Sequence, residues 1–233
     1  MTTCAFPGCN KVAVSGPSQR RTIAGYCASH RSRQRRHGNA LQRTISQKEL
    51  RPHEEAVRRR VAGFPAARAW PLLDARWTAL VDHASQGTAH LKPGDLPRTH
   101  REAALRAIVD IARATEARLV WQRIAAFYLL RSHHPGAFAD DRGFAFQLVR
   151  SLRKLSSASF GRTRAGVTGP TKQWQRDLPP KSTELIGQLI TEHLGAAGTY
   201  LTDIERKFAD REEQQKRDLE AALKEIGEQT DKR

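Results

Sequence analysis

The sequence predicts a mainly α-helical protein with a small N-terminal metal module, a helical body and a C-terminal helical arm. Apolar residues recur at helical spacing in successive segments after residue 44. Capping-box signatures stand ahead of two of those segments. No long apolar–polar alternation of the strand kind follows residue 41. A chain of 233 residues is long enough for one or two domains with a modest core.

Residues 1–41 carry few large apolar side chains and are expected to fold around a structural metal. Residues 42–198 make up the predicted body. Ser46 and Glu49 give a capping-box pattern, S-Q-K-E. Pro52 would fall past the first turn of a helix begun there, so the main helix is expected from near Pro52 to about Gly63. The next helix spans Ala66 to Ser85, with Trp70, Leu73, Trp77, Leu80 and Val81 on one stripe and Pro71 in its first turn. Gly87, Pro93, Gly94 and Pro97 mark Gln86–Arg98 as a loop. Thr99 and Glu102 form a second capping box ahead of Leu105, Ile108, Val109, Ile111 and Ala112. The apolar run Leu119–Leu130 either continues that helix or follows a break near Thr115. His133-His134-Pro135-Gly136 ends it, with both imidazoles at the helix C-terminus. Phe144, Leu148, Leu152 and Leu155 predict a helix over Asp140–Leu155. Residues 156–181 show no period and read as a basic loop. Ser182 is expected to cap a helix carrying Leu185, Ile186, Leu189, Ile190 and Leu194. Residues 199–233 form the charged arm. Its seam of Leu201, Ile204, Phe208, Leu219, Ala222, Leu223 and Ile226 has a gap that breaks a heptad. A partner-binding or self-associating coiled arm and a solvated helix both fit it. Tyr200 is expected in the core.

Charge points to the ligand class. The formal net charge is +16, and it is uneven. Residues 1–60 hold 13 basic against 3 acidic side chains, whereas residues 199–233 hold 8 against 10. A basic front on a chain with a near-neutral tail is drawn to polyanions, with nucleic-acid phosphates the leading class. No apolar run reaches membrane-spanning length, and MTTCAFPGC lacks a signal-peptide core. A cytoplasmic, nucleoid-associated protein with reduced cysteines is expected.

The three cysteines, Cys4, Cys9 and Cys27, all fall in the first 27 residues. Three cannot form a closed disulfide set, so metal ligation is the better reading. Cys4-x4-Cys9 and Cys27-x2-His30 make two ligand pairs separated by a loop, as in small zinc modules. Pro7-Gly8 and Gly25 supply turn chemistry beside the pairs. Three thiolates and one imidazole complete a tetrahedron around one structural Zn2+ and leave no open position for water. After His30 the residues Arg31, Arg33, Arg35 and Arg36 fall three and four apart, which makes two neighbouring helix faces basic. Such a helix suits phosphates or a major groove, with double-stranded DNA the expected partner.

The stretch CAFPGC…AGYCASHRSRQRRHGNAL resembles the short Cys-Cys-Cys-His zinc module at the front of many phage and mobile-element proteins, best known beside HNH endonucleases. That module reads C-x4-C, a variable loop, G-[YLF]-C-x2-H, an Arg-rich helix and an R-H-G ending. Gly25, Tyr26, Cys27, His30, Arg33, Arg36, His37 and Gly38 match it, and SGPSQRR stands as an insertion in the loop. The resemblance implies zinc binding and nucleic-acid contact. His37 competes for the fourth ligand position, but the x2 spacing favours His30 and leaves His37 at the surface or facing phosphate.

A second basic feature is Arg150, Arg153, Lys154, Arg162, Arg164, Lys172, Arg176 and Lys181, with Phe160 and Trp174 interleaved and Asp177 the one acid. Backbone contact with base stacking on Trp174 suits that composition. No catalytic constellation is recognisable. An HNH site needs a downstream asparagine or histidine, yet the only asparagines are Asn10 and Asn39. The glycines at 161, 166 and 169 are followed by no GKS or GKT. The expectation is therefore a non-enzymatic DNA-binding accessory or regulatory protein of a phage, plasmid or integrative element. The alternatives are a divergent nuclease or recombinase subunit, and a basic adaptor for an acidic protein.

Overall fold

The fold comes from a computed structural model that describes residues 2–13, 25–92, 95–164 and 171–230. It is mainly α. The helices run α1 (Ala28–His37), α2 (Gln47–Gly63), α3 (Ala69–Thr88), α4 (His100–Ala114), α5 (Ala117–His133), α6 (Asp141–Arg153), α7 (Pro180–Ile190) and α8 (Ala196–Thr230). Between α6 and α7 lies an antiparallel hairpin, β1 (Phe160–Arg164) and β2 (Thr171–Gln175).

Helix α5 is the axis of the core. Val120, Trp121, Ile124, Ala125, Ala126, Phe127, Leu129 and Leu130 are all buried, so it is enclosed on most of its surface. It packs against α2, α3, α6 and α8. Trp70 of α3 stacks on Trp121 at 5.6 Å between ring centroids, and Trp121 Nε1 donates to Asp74 Oδ1 at 2.8 Å. The indole thus fills core volume while its one polar atom is satisfied. Both capping boxes form: Ser46 with Glu49, and Thr99 with Glu102. The break at Thr115 is real, since that residue is extended and separates α4 from α5.

Several expectations change. Helix α2 starts at Gln47 and runs through Pro52 instead of beginning there. Pro52 and Lys48, whose carbonyl Pro52 cannot serve, are both exposed, so water can take the missing bond. Residues 156–181 are not a structureless loop, because β1 and β2 pair from Phe160↔Gln175 to Arg164↔Thr171. Two five-residue runs flanking Gly166, Gly169 and Pro170 are hairpin chemistry, but they are too short to show a period. Helix α7 begins two residues before Ser182, with Pro180 in its first turn. Proline is pre-set for that position, and Ser182 ends up fully buried inside the helix. No break falls at residue 199. α7 passes through a π-helical turn, Thr191–Gly195, into α8.

The first turns of α8 belong to the body. Leu201 is buried, Gly198 lies against the Tyr128 ring, and Arg60 pairs with Glu205 at 2.6 Å while lying over Phe208. Tyr200, by contrast, is 58% exposed and not a core residue. Residues 210–221 are exposed throughout. Among the described residues no helix is long and apolar enough to cross a membrane.

Candidate metal centre and arginine cleft

The metal module is built from one tight hairpin and the start of α1. Thr3 and Val12 form an antiparallel bridge, and Cys4 N donates to the Lys11 carbonyl at 2.9 Å. Between them Phe6-Pro7-Gly8-Cys9 closes as a turn, with Cys9 N donating to the Phe6 carbonyl at 3.1 Å and Gly8 at φ 74°. Proline then glycine at the two central positions suits a type II turn. Cys27 caps α1, and His30 stands in its first turn.

These elements bring all four predicted ligands together. Their ligand atoms lie within 4.8 Å of one another. Cys9 Sγ is 3.9 Å from Cys27 Sγ, and His30 Nδ1 is 3.4 Å from both Cys4 Sγ and Cys27 Sγ. A tetrahedral ion at ordinary metal–sulfur and metal–nitrogen lengths sets edges of roughly 3.8 Å between sulfurs and roughly 3.5 Å between sulfur and nitrogen. The donor set therefore fits one four-coordinate ion. The backbone N–H of His30 holds the Cys27 thiol below its ordinary pKa, which favours the thiolate a metal needs. Cys27 N also donates to Cys4 Sγ at 3.2 Å. Phe6 stacks on the His30 ring at 3.7 Å and fixes its orientation. Sequence reasoning passed over Phe6, whose signal was only its place inside the first ligand pair.

The far end of α1 is tied to the body. Gly38 ends the helix at φ 80°, where its missing side chain lets it approach the Phe146 ring and the Arg142 carbonyl. The Gly38 carbonyl accepts from Arg142 at 2.8 Å and from Gln34 at 2.8 Å. Gln147 of α6 bonds His37 Nδ1 at 2.9 Å and accepts from Ile45 N at 3.1 Å. Asn39 donates to Asp140. The N-terminal module is thus docked on α6, not strung beside the body.

His37 consequently differs from its expected role. Burial, then the Arg150 and Arg33 charges, push its pKa down to about 4. It is neutral at pH 7 and serves as a strut against Gln147, not as a residue facing phosphate. Arg153 also turns inward. It is only 7% exposed, its guanidinium donates to the Arg176 carbonyl at 2.7 Å, and desolvation lowers its pKa to about 10. Arg150 is half-buried and pairs with Asp177 at 2.7 Å. Lys154 and Arg176 are exposed. Arg162, Arg164, Lys172 and Trp174 have their backbone in the hairpin, but their side chains lie outside the described residues, as does the SGPSQRR insertion.

Arg33, Arg35 and Arg36 are exposed and Arg31 is half-exposed. Arg31, Arg35 and Arg36 line one wall of a cleft of ≈ 420 Å³, with Asp177, Leu178 and Pro180 opposite. Arg33 turns the other way, over the Phe6 ring. The cleft joins α1 to the start of α7, a meeting of residues 31–36 with 177–180 that sequence spacing could not foresee. Its one available signal was Asp177, the lone acid in a basic stretch. Away from the cleft, buried His53 faces His133 and His134 at the end of α5, with ring centroids 5.3 and 5.9 Å away. No protein-family model matches the chain, and neither the curated proteins nor the solved structures yield a match.

Proposed function

We propose that the chain is a non-enzymatic nucleic-acid-binding protein, an accessory or regulatory factor of a phage, plasmid or integrative element. Its metal centre is a structural zinc site that presents an arginine helix to double-stranded DNA. Zinc is the ion favoured by three thiolates and one imidazole in a closed tetrahedron. With all four positions filled by protein, the metal holds the fold and offers no site for water activation.

The observation that carries the reading is the arginine set of α1. Four arginines project from a helix held by the ligand cluster at one end and by α6 at the other. Arginine forks match phosphate oxygens, and a rigid helix presents them at little entropic cost. Exposed Lys154 and Arg176 extend the basic surface.

The test is duplex binding by fluorescence anisotropy across a salt series. Steep salt dependence is expected, and the double variant R33A/R35A should bind more weakly with a slope shallower by roughly 0.9 for each phosphate no longer neutralised. Unchanged affinity in that variant overturns the reading. Metal-dependent cutting of plasmid DNA by the purified chain would instead favour a nuclease.

A further inference from the structure

We propose that the cleft between α1 and the start of α7 is a binding site for a terminal phosphate group, with Asp177 as its resident competitor. The inference rests on the nucleic-acid reading above and specifies which phosphate this part of the surface takes.

The cleft is over-supplied with cations. Arg31, Arg35 and Arg36 form one wall, and a second, small pocket of ≈ 20 Å³ that shares Arg35, Arg36, Asp177 and Leu178 with it is lined also by Arg150 and Arg153. Five guanidinium groups line these two cavities, against the one carboxylate of Asp177. Asp177 takes Arg36 Nε at 3.0 Å through Oδ2 and Arg150 at 2.7 Å through Oδ1. One carboxylate cannot satisfy five forks. Among the described residues the buried Nε atoms of Arg150 and Arg153 have no hydrogen-bond partner, and Arg153 is more than nine-tenths buried. Such orphaned N–H groups are costly, and they leave the Arg150 and Arg153 charges under-compensated beside the cleft, a field that favours an anion there.

The shape of the site selects among phosphates. A cleft of ≈ 420 Å³ lies in the size range of small-ligand sites and is far smaller than a duplex face. A phosphodiester within a strand carries one charge and is flanked by sugar on both sides. A terminal phosphate carries roughly −1.5 to −2 and three free oxygens, and it can enter end-on. Pro180, where α7 begins, also lines the cleft, so the positive end of that helix dipole adds to the field.

Asp177 sets the threshold for entry. It lies in the extended stretch between β2 and α7, outside either element, and its side chain is 38% exposed. A dianion entering the cleft takes over the Arg36 contact beside Arg31 and Arg35, and the carboxylate swings to solvent. A monoanion gains too little to displace it. The site thereby discriminates by charge, through a repulsive group placed against the weaker ligand.

The experiment uses the full, metal-loaded chain and two short duplexes, identical except for a 5′-phosphate or a 5′-hydroxyl. The wild type is expected to bind the phosphorylated duplex at least about tenfold tighter. D177N removes the competing charge with little change in shape. It should tighten the phosphorylated duplex several-fold further and leave the hydroxyl duplex nearly unchanged. R35A/R36A, at two exposed positions, should erase the preference. Competition with a nucleoside monophosphate separates the two sources of such a group. Displacement at equal concentration assigns the site to free nucleotides, and displacement only by phosphorylated ends assigns it to termini. Equal affinity for both duplexes in wild type and D177N overturns the site while leaving duplex binding intact. Failure to bind either duplex overturns the nucleic-acid reading, and the site with it.

Discussion

Replacing Gly38 with alanine should destabilise the protein through a contact that a second glycine lacks. Gly38 sits at φ 80°, a conformation costing an L residue roughly 1–2 kcal/mol. A Cβ there would also meet Phe146 Cδ2 at 2.9 Å, Phe146 Cγ at 3.0 Å and the Arg142 carbonyl oxygen at 3.0 Å. The ring can shift, but the carbonyl belongs to the backbone of α6, so α1 itself must lift. Overpacking of this kind costs about 1–3 kcal/mol. Lower chain entropy in the unfolded state returns about 0.4–1 kcal/mol. The expected loss for G38A is therefore about 2–3 kcal/mol. Gly8 is the internal control. Its φ of 74° carries the same backbone strain, but a Cβ there would meet nothing within 4 Å, so G8A should cost about 1 kcal/mol or less. Urea unfolding of both variants in the presence of zinc measures the difference. For a chain of this size G38A should lower Tm by roughly 5–10 °C. Equal losses within about 0.5 kcal/mol for G38A and G8A would refute the docking of α1 on α6.

Zinc analysis of the purified chain should give one ion per molecule, and C9A or H30A should reduce it to none; a fully folded N-terminal module in excess chelator would refute the site. Acid stability should report His37 and His53, both held at about pKa 4, His37 by burial with Arg150 and Arg33, His53 by burial with His133 and His134. A depressed imidazole pKa means that the unfolded chain binds the proton first. The stabilisation is complete above about pH 6.5 and is lost as pH falls towards about 4. Both groups keep some access to water, so the combined loss is discounted to roughly 2–3 kcal/mol. The double variant H37Q/H53Q should flatten the wild-type slope of stability against pH over that window, and parallel slopes would contradict the assignment. Trp121→Phe leaves Asp74 without its 2.8 Å donor and should cost about 1–3 kcal/mol in urea unfolding; the variant D74N/W121F, which removes the stranded charge, should recover part of it.

What the sequence disclosed followed the range of its signals. Helix starts with a local chemical mark were legible, as at Ser46–Glu49 and Thr99–Glu102, because a capping box is complete within four residues. The grouping of Cys4, Cys9, Cys27 and His30 was legible for a similar reason, since each pair lies in one turn and the chain has no other cysteines. Pro52 misled because a proline's cost depends on whether its orphaned carbonyl meets water, and exposure is a tertiary property. The hairpin was hidden because strands of five residues give too few positions for a period. The roles of Arg153 and His37 were hidden most completely. Sequence marks Arg153 as a surface cation and His37 as a surface or phosphate-facing residue, yet both turn inward because α1 and the segment after β2 close over α6. That closure is made by contacts more than 20 residues apart, such as Gln147 to His37 and Arg153 to Arg176.

The same closure separates two roles for the metal. If the ion supported the whole protein, chelation would unfold the body. The body, however, has its own core, centred on α5, and none of the four ligands belongs to it. If the ion only decorated the N-terminus, its loss would leave the arginine face intact. Yet α1 has no side-chain cap and no buried residue of its own. A ten-residue helix of that kind is not stable alone in water. It is held by the ligand cluster at Cys27 and His30 and by α6 at His37 and Gly38. Chelation should therefore fray α1 from its N-terminal end, loosening Arg31 and Arg33 before Arg36. The expected result is duplex affinity reduced at least about tenfold with the melting of the body shifted by only a few degrees. Loss of both together would mean that the ion supports the core, and loss of neither that α1 does not depend on it.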